Sequence, residues 1–462
     1  MSAPLFRRAP RTIAAVSGAL GLSLVLAACG GSPAASGGGG EAPAADSPEC
    51  AAYSKYGDLS GTSVSVYTSI ATEEESQTQI DSYKAFENCT GATINYEGSA
   101  EFEAQLPVRI QAGSPPDIAY IPQPGLLGTL VTDNPGAVKP APAEVAANVD
   151  QYFPETYASA GSVDGTLYAA PLGANVKSFV WYSPAAFTAK GYTVPTTWDE
   201  MIALSDRIVA EGGKPWCAGI SSGEATGWPL TDFLEDAMLR ENGPDVYDQW
   251  VSHAIPFNDP QVAAALDRVG TILKNPAYVN GGLGEVSSIA TTTFQDGGLP
   301  ILDETCYMHR QANFYASNWP DGTDVSENGE VYAFELPPID AAQPETILVG
   351  GEFVAALADR PEVVAFQTYL SSPEWANEKA KATPEGGWIS ANSGLDPANL
   401  AGPIDKLSAA VLQDPANTFR FDGSDLMPGA VGSASFWTGM TNWITGQSTT
   451  ETLDFIEQSW PQ

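Results

Sequence analysis

The sequence predicts an α/β protein built around parallel β-sheet. Residues 63–67 (Ser-Val-Ser-Val-Tyr) alternate polar and apolar side chains as a β-strand does, and a helical segment follows directly. The same strand–helix order then repeats along the chain. Repeats of this unit favour parallel strands, with ligand-binding chemistry at the carboxyl ends of the strands.

The first half of the chain supplies the clearest elements. Thr72-Glu-Glu-Glu75 forms a capping box and predicts a helix that continues to about Asn88. A second strand over 92–96 and a third over 116–121 are separated by a helix over 100–112. These elements predict one β-α-β-α-β unit.

A second region of the same kind begins near 180–182. Its first helix, over 198–211, is opened by the capping box Thr197-Trp-Asp-Glu200, and Asp259 caps a later helix that starts with Pro260. Further helical stretches and their stops are predicted at 229–242, at 261–275, and from Arg360 onward with breaks at 372–373, 386–387 and 414–415. From Cys50 to the end, about 400 residues are enough for two or three domains.

The N-terminus has the pattern of a secreted lipoprotein. Three arginines precede an uncharged apolar run over 12–28, which predicts a signal peptide over 1–28. The run ends Leu26-Ala-Ala-Cys29, which resembles the bacterial lipobox, so we expect Cys29 to be acylated. Residues 29–57 are expected to be a tether, because 30–49 are almost entirely Gly, Ser, Ala and Pro. We therefore expect a body held at the outer face of a bacterial cell membrane.

The charge of the chain excludes some classes of partner. Removal of residues 1–28 takes away three of 20 basic residues and none of the 56 acidic ones, which leaves a net charge near −39. Nucleic acids and anionic lipid surfaces require positive charge, so neither is expected as a partner. An acidic exterior usually serves solubility and does not by itself indicate a cationic ligand. With only His253 and His309, no transition metal or other cofactor is expected.

Four cysteines remain after Cys29: Cys50, Cys89, Cys217 and Cys306. An even number outside the cytoplasm predicts two disulfides, and four cysteines allow three pairings. We favour Cys50–Cys89, which would join the start of the body to the end of the first helix, together with Cys217–Cys306.

One motif could indicate a hydrolase. Gly219-Ile-Ser221-Ser-Gly223 matches the G-x-S-x-G nucleophile elbow. An elbow requires a helix that starts at the serine, whereas Gly223, Gly227 and Pro229 follow here. The pattern therefore favours coincidence.

The aromatic residues point to a different chemistry. The chain has 11 tryptophans and 17 tyrosines, and Trp228 and Trp388 lie in glycine-flanked turns instead of apolar stripes. Aromatic faces pack on the C–H faces of sugar rings, while neighbouring polar side chains bind the hydroxyl groups. The composition therefore favours a sugar-binding cleft.

Several ordered motifs between about 60 and 460 resemble the carbohydrate-binding solute-binding proteins of ABC transporters, and most closely their α-glucoside-binding members. The motifs are Gly-Ser-Ala-Glu-Phe-Glu-Ala-Gln (98–105), Pro-Asp-Ile-Ala (116–119), Pro-Leu-Gly-Ala-Asn-Val-Lys-Ser-Phe-Val-Trp-Tyr (171–182), Thr-Trp-Asp-Glu (197–200), Lys-Pro-Trp-Cys (214–217), Ala-Thr-Gly-Trp-Pro-Leu-Thr-Asp (225–232), Glu-Thr-Cys-Tyr-Met-His-Arg-Gln (304–311), Gly-Gly-Glu-Phe (350–353) and Gly-Gly-Trp-Ile-Ser-Ala-Asn (386–392).

The resemblance implies a two-lobed periplasmic-binding-protein-like fold with a ligand cleft and a multi-segment hinge. Mapped onto this sequence, lobe 1 is 58–178 plus 300–337, and lobe 2 is 179–299 plus 338–462, with crossings near 177–180, 299–302 and 337–338. This mapping puts Cys217 and Cys306 in different lobes, where they could bond only beside the hinge. The implied function is capture of an α-glucoside or related di- or oligosaccharide by a monomer that delivers it to ABC permease subunits.

Candidate sugar contacts lie at the ends of elements that face this cleft. They are Thr68, Glu73 and Glu74 after the first strand, Ser99 at a helix cap, Gln123 after the third strand, Lys177 and Trp181 at the crossing, Trp228 and Asp232 at the start of a helix, and Arg310, Glu352 and Trp388 on the remaining walls.

Two other classes of function remain open. A surface glycosidase would need two carboxylates about 5 or 7–9 Å apart across a sugar, and acidic residues are abundant. A receptor for a peptide or an iron chelate would be favoured by cationic clusters, which the sequence lacks.

Overall fold

The computed structural model describes residues 47–339, 346–414 and 416–461. The strands are β1 (Ser63–Thr68), β2 (Thr93–Gly98), β3 (Ile118–Ile121), β4 (Ser162–Val163), β5 (Thr166–Leu167), β6 (Ala169–Pro171), β7 (Asn175–Val176), β8 (Phe179–Tyr182), β9 (Met308–Arg310), β10 (Tyr332–Glu335), β11 (Thr346–Gly350), β12 (Phe353–Ala356) and β13 (Thr418–Phe421).

The α-helices are α1 (Glu73–Thr90), α2 (Phe102–Gln111), α3 (Pro124–Asp133), α4 (Ala143–Tyr152), α5 (Glu155–Ala160), α6 (Pro184–Lys190), α7 (Trp198–Ala210), α8 (Trp228–Asn242), α9 (Pro244–Val251), α10 (Pro260–Leu273), α11 (Pro361–Leu370), α12 (Pro373–Lys381), α13 (Pro403–Gln413), α14 (Gly423–Leu426), α15 (Trp437–Ile444) and α16 (Thr449–Glu457). A π-helical turn over Val431–Phe436 leads into α15.

The largest sheet has the order β2-β1-β3-β12-β6. Strand β1 runs parallel to both β2 and β3, with Ser63 opposite Thr93 and Val66 opposite Ile118. Strand β12 is antiparallel to β3 and to β6. The predicted β-α-β-α-β unit is therefore confirmed, and the carboxyl ends of its three strands meet at one edge of the sheet.

The predicted helix starts are also confirmed. The Thr72 and Thr197 hydroxyls accept hydrogen bonds from the backbone N–H of Glu75 and Glu200. Asp259 accepts from the backbone N–H of Gln261, with Pro260 in the first turn. Each cap satisfies an N–H that the helix itself cannot pair.

Two hydrophobic cores lie on either side of two small sheets, β10-β8-β9 and β13-β11-β7. Along β8 the side chains alternate, because Phe179 and Trp181 pack in the first core and Val180 and Tyr182 in the second. A strand buried on both faces is expected to be apolar throughout, as this one is. We call 47–176 with 351–412 the first lobe, and 180–310 with 418–461 the second lobe.

Two segments differ from the lobe boundaries that the sequence suggested. Residues 353–412 were expected in the second lobe, but β12 completes the large sheet and α11 packs on it. Residues 306–310 were expected in the first lobe, but β9 pairs with β8 and Trp216 forms a bridge with Met308. The chain therefore leaves the large sheet at 172–174 and returns at 351–352, instead of crossing at 299–302 and 337–338.

Both favoured disulfides are confirmed. Cys50–Cys89 joins the N-terminal 3₁₀ helix to the end of α1, with Cα atoms 5.2 Å apart, and Cys217–Cys306 has a Cα separation of 5.5 Å. The lobe boundaries suggested by the sequence had put Cys217 and Cys306 in different lobes, so that they could bond only beside the hinge. In the structure both cysteines lie in the second lobe, and this condition does not apply.

The tether is shorter than the sequence suggested. Pro48–Tyr56 is a 3₁₀ helix, and Cys50 and Tyr53 are buried. The Tyr53 ring lies 5.7 Å from that of Tyr369, so this segment belongs to the packed body. Cys29 and the signal peptide lie outside the described residues. Within the described part, no helix combines the length and apolar character of a membrane span.

Candidate functional site

A cavity of about 660 Å³ lies at the carboxyl ends of β1, β2 and β3. Its first wall comes from the first lobe: residues 69–72 follow β1, 122–123 follow β3, and 382–388 follow α12. Its second wall comes from the second lobe, at 221–228, 293–295 and the turn after β13. Ligands of open α/β sheets bind at this edge, as the sequence suggested.

Two glycine turns set the position of the wall tryptophans. Gly386 and Gly387 have φ angles of +82° and +99°, and Gly227 has +118°. A Cβ at Gly227 would lie 2.2 Å from the carbonyl oxygen of Trp437, so only glycine fits before Trp228. The cavity wall therefore carries Trp388 on one side and Trp228 on the other.

Lys177 is the centre of a buried charge network behind the second wall. Its Nζ lies 3.2 Å from Asp232 Oδ1 and 3.8 Å from Asp425 Oδ2, and it also contacts Asp422. Burial opposes the ammonium charge, but these three carboxyl groups raise the pKa of Lys177 well above its ordinary value. The lysine is therefore charged and held by the protein itself.

The network continues away from the cavity. Arg310 Nη1 lies 3.2 Å from Asp232 Oδ2, and its Nε donates to Asp236 Oδ2 over 3.0 Å. Arg240 donates to the other oxygen of Asp236 over 2.6 Å. Both oxygens of Asp232 are thus engaged, although burial and the nearby Asp422 charge raise its pKa to about 7.

A second buried lysine lies behind the first wall. Lys379 donates to the hydroxyls of Thr78 and Thr383 and makes no ion pair within 4 Å among the described residues. Burial lowers its pKa to about 7 against the opposing charges of Glu75, Glu352 and Asp405. Burial likewise raises the pKa of Asp405 to about 7, although its carboxylate accepts the Gly387 N–H over 2.7 Å.

Among the described residues, six aromatic side chains line the cavity: Trp228, Phe294, Phe314, Trp319, Trp388 and Trp437. Trp228 packs edge-on against Phe294 with ring centroids 5.1 Å apart, and Lys177 Nζ lies 5.7 Å from its ring centroid. Trp388 packs edge-on against Trp375 at 5.4 Å, and Lys379 Nζ lies 5.9 Å from its centroid. Each wall thus has one tryptophan paired with one buried lysine.

Some buried polar atoms of the lining residues have no hydrogen-bond partner in the protein. They are the indole Nε1 of Trp319, Trp388 and Trp437 and the amide Oε1 of Gln79 and Gln123. Buried polar groups are nearly always paired, so such atoms indicate a missing partner such as a ligand or water.

The structure brings together seven of the twelve predicted contact residues. Those that line the cavity are Glu74, Gln123, Lys177, Trp228, Asp232, Glu352 and Trp388. The five that lie outside its lining are Thr68, Glu73, Ser99, Trp181 and Arg310.

Each residue outside the lining has a structural partner or points elsewhere. Trp181 is fully buried and donates its indole N–H to the Gln311 carbonyl over 3.0 Å. The Thr68 hydroxyl accepts from the Ile70 N–H, and Ser99 accepts from Glu101. The Arg310 guanidinium is bound to Asp232 and Asp236. Glu73 is exposed at the first turn of α1. A sugar-contact role for these five receives no support from the geometry.

Several lining residues were missed from the sequence. Asp422 and Asp425 follow β13, and Asp422 caps α14, so the strand-end rule applied to β1 could have found them. Lys379 and Phe314 had no such signal, because one lies inside a helix and the other in a 3₁₀ turn. Ser221 and Ser222 also line the cavity, but the helix begins only at Trp228, so no nucleophile elbow is formed.

Comparison with known proteins gives concordant results. The model of the bacterial extracellular solute-binding protein family matches residues 71–377. The chain is 40% identical over 396 residues to the osmoprotective compounds-binding protein GgtB of Synechocystis sp., covering 84% of this chain and 90% of that protein. It is 36% identical over 427 residues to the alpha-glucosides-binding periplasmic protein AglE of Rhizobium meliloti, covering 88% and 89%.

Solved structures show the same fold. The bacterial solute receptor AcbH, described as having an exclusive preference for β-D-galactopyranose, superposes with a TM-score of 0.72 at 19% identity, over 86% of this chain and 97% of that one. A chitin oligosaccharide binding protein gives a TM-score of 0.71 at 16% identity, over 86% and 97%. The predicted two-lobed α/β fold class is confirmed.

Proposed function

This chain belongs to the family of bacterial extracellular solute-binding proteins, and we propose that it captures a saccharide outside the cell and delivers it to the transmembrane subunits of an ABC importer. The observation that carries the proposal is the cavity between the lobes. The tryptophans that line it, Trp228 and Trp388, suit sugar rings, and the unpaired indole N–H groups among its lining residues suit sugar hydroxyls.

The substrate class follows from the relatives and from the size of the site. An α-glucoside is proposed because AglE, which is named for binding alpha-glucosides, is similar to this chain over nearly its whole length. The cavity volume of about 660 Å³ is within the usual range for small-ligand sites. A disaccharide or short oligosaccharide is therefore the ligand we propose.

The two lobes would close on the sugar and remove its water. Lobe closure about a few connecting residues is the general mechanism of receptors of this architecture. The connections at 172–174 and 351–352 contain Gly173 and Glu352. These two residues are in close contact, because a Cβ at Gly173 would lie 2.7 Å from Glu352 Oε2. Acylation at Cys29 would keep the receptor beside its importer.

A sugar panel tests this function. The purified protein is screened by thermal shift and calorimetry against maltose, trehalose, galactose and a nitrophenyl glucoside, and the mixtures are then analysed by chromatography. We expect saturable binding of an α-glucoside and full recovery of the intact sugar. Release of glucose or nitrophenol would favour the glycosidase alternative, and an absence of binding across the panel would contradict the proposed substrate class.

A further inference from the structure

The cavity carries far more acidic than basic side chains. Among the described residues, ten aspartates and glutamates line it against two lysines and no arginine. Lys177 is already paired with Asp232 and Asp422. Asp81 is paired with Lys84, and Asp232 is also paired with Arg310. Among the described residues, Glu103 is one of the lining carboxyl groups that make no ion pair within 4 Å.

Three of the lining residues form what we call the acidic corner: Glu103, Gln123 and Asp425. Gln123 Nε2 donates to Glu103 Oε1 over 3.2 Å, whereas Gln123 Oε1 has no partner and the residue is only 5% exposed. Asp425 belongs to the second lobe and lines the same cavity, and the charge of Glu103 acts on its carboxyl group. A Cβ at Gly125, two residues after Gln123, would lie 1.7 Å from the Met427 carbonyl oxygen, so the lobes touch beside the corner.

Asp425 lacks a strong partner of its own. Its carboxyl lies 3.8 Å from Lys177 Nζ, beyond Asp422, which takes the closer contact. Among the described residues, no donor hydrogen-bonds to the Asp425 carboxyl oxygens. The corner thus offers acceptors from both lobes, and the side-chain amide of Gln123 donates one of its two N–H groups to Glu103.

We propose that the acidic corner binds the protonated amino group of a basic saccharide, so that this receptor takes amino sugars in preference to neutral sugars of the same size. The inference rests on the proposed function as a saccharide receptor. An ammonium group donates three hydrogen bonds and supplies the positive counter-charge that Glu103 and Asp425 do not receive from a close basic side chain. Hydrogen bonds between charged groups are stronger than those between neutral groups.

Burial favours the protonated form of both carboxyl groups in the corner. Burial raises the pKa of Asp425 well above its ordinary value, and the charges of Asp422, Asp232 and Glu103 raise it further against the opposing effect of Lys177. Burial also raises the pKa of Glu103. An ammonium ligand requires the carboxylate form, so its binding releases a proton from the protein to the buffer. Its affinity therefore rises with pH until the ligand amine itself loses its proton.

The experiment is titration calorimetry with the full chain in detergent. The probes are trehalose and maltose, their derivatives in which one hydroxyl is replaced by an amine, and the N-acetylated forms of those amines. At least one amine should bind about tenfold more tightly than its parent sugar and than its acetylated form. Repeating the titration in phosphate and in Tris should give a proton release for the amine and none for the parent.

Substitutions in the acidic corner test whether its carboxyl groups cause the preference for the amine. Asp425→Asn and Glu103→Gln should each bring the ratio of amine affinity to parent-sugar affinity toward one and remove the proton release, whatever their effect on the parent sugar itself. Asp133→Asn, which removes an exposed carboxylate at the end of the helix that follows Gln123, should leave both unchanged. If parent sugars bind and no amine binds better, the inference is wrong and the proposed function stands. If no member of either series binds, the proposed function fails and the inference fails with it.

Discussion

Lys177 Nζ lies 3.2 Å from Asp232 Oδ1 and so ties the segment between β7 and β8 to the first turns of α8. The same ammonium contacts Asp422 after β13 and lies 5.7 Å from the Trp228 ring centroid. One buried charge therefore holds three chain segments that form the second wall of the cavity.

Lys177→Met should destabilise the protein strongly. It leaves Asp422 and Asp232 buried with less counter-charge, and loss of one partner of a buried ion pair costs about 3–5 kcal/mol. Urea denaturation measures the change. Lys55→Met is the matched control, because Lys55 pairs with Glu374 at the surface and such pairs contribute at most about 1 kcal/mol. Equal losses in the two variants would contradict the role of Lys177.

Trp228→Ala and Trp181→Ala should act on different properties. Trp228 lines the cavity and is half-buried, so its loss should weaken sugar binding by about 1–3 kcal/mol through loss of aromatic contact. Trp181 is fully buried, so its loss should cost about 3–5 kcal/mol of folding stability. Calorimetry and denaturation are measured on both. An unchanged sugar affinity in Trp228→Ala would place that residue outside the binding site.

The stability of the protein should rise with pH above neutrality because of Lys379. Its pKa is lowered by burial to about 7 from an ordinary value of 10.5, so between these values the unfolded chain binds more protons than the folded protein. Stability increases with pH wherever the unfolded state binds more protons, here by about 1 kcal/mol per pH unit. Below pH 7 both states are protonated and this contribution is constant.

Lys379→Met isolates that contribution. The free energy of unfolding is measured for both proteins at intervals from pH 6 to pH 10, and the difference between wild type and variant is plotted. We expect a flat difference below pH 7 and a rise above it. A difference that stays flat across the whole range would show that Lys379 keeps an ordinary pKa in the folded protein.

The native protein should have no free thiol among Cys50, Cys89, Cys217 and Cys306. Alkylation before reduction, followed by peptide mapping, should find both disulfide-linked peptide pairs and no label. Cys217→Ser together with Cys306→Ser should lower stability by about 4 kcal/mol, because the bond closes a long loop in the unfolded chain. A mapped Cys50–Cys217 link would refute the pairing.

Cys29 should carry the membrane anchor. The protein expressed in a bacterial host is expected to fractionate with membranes, with lipid on Cys29 as the new N-terminus. Cys29→Ala should remain unprocessed or be released. Mass spectrometry that finds a mature N-terminus at another residue, without lipid, would refute the anchor.

Local sequence was sufficient for the elements that depend on neighbouring residues. The caps at Thr72, Thr197 and Asp259 and the strand-helix order of the first lobe were predicted, because a cap is formed by atoms within one helical turn. Trp228 and Trp388 were predicted to lie in the cleft because neighbouring glycines indicate turns, where a core tryptophan is less expected, and both residues line the cavity.

Tertiary structure decided what depends on distant pairing. Strand β12 joins the large sheet through β3 and β6, more than 180 residues earlier in the chain, and no local pattern specifies such a partner. The same holds for charge: Arg310 and Asp232 have the residue types of sugar ligands, but folding pairs them with each other. Sequence by itself determined the family, the local elements and the type of cleft. Long-range packing decided which side chains remain free to bind a ligand, because a buried charge is stable only when it is paired within the protein.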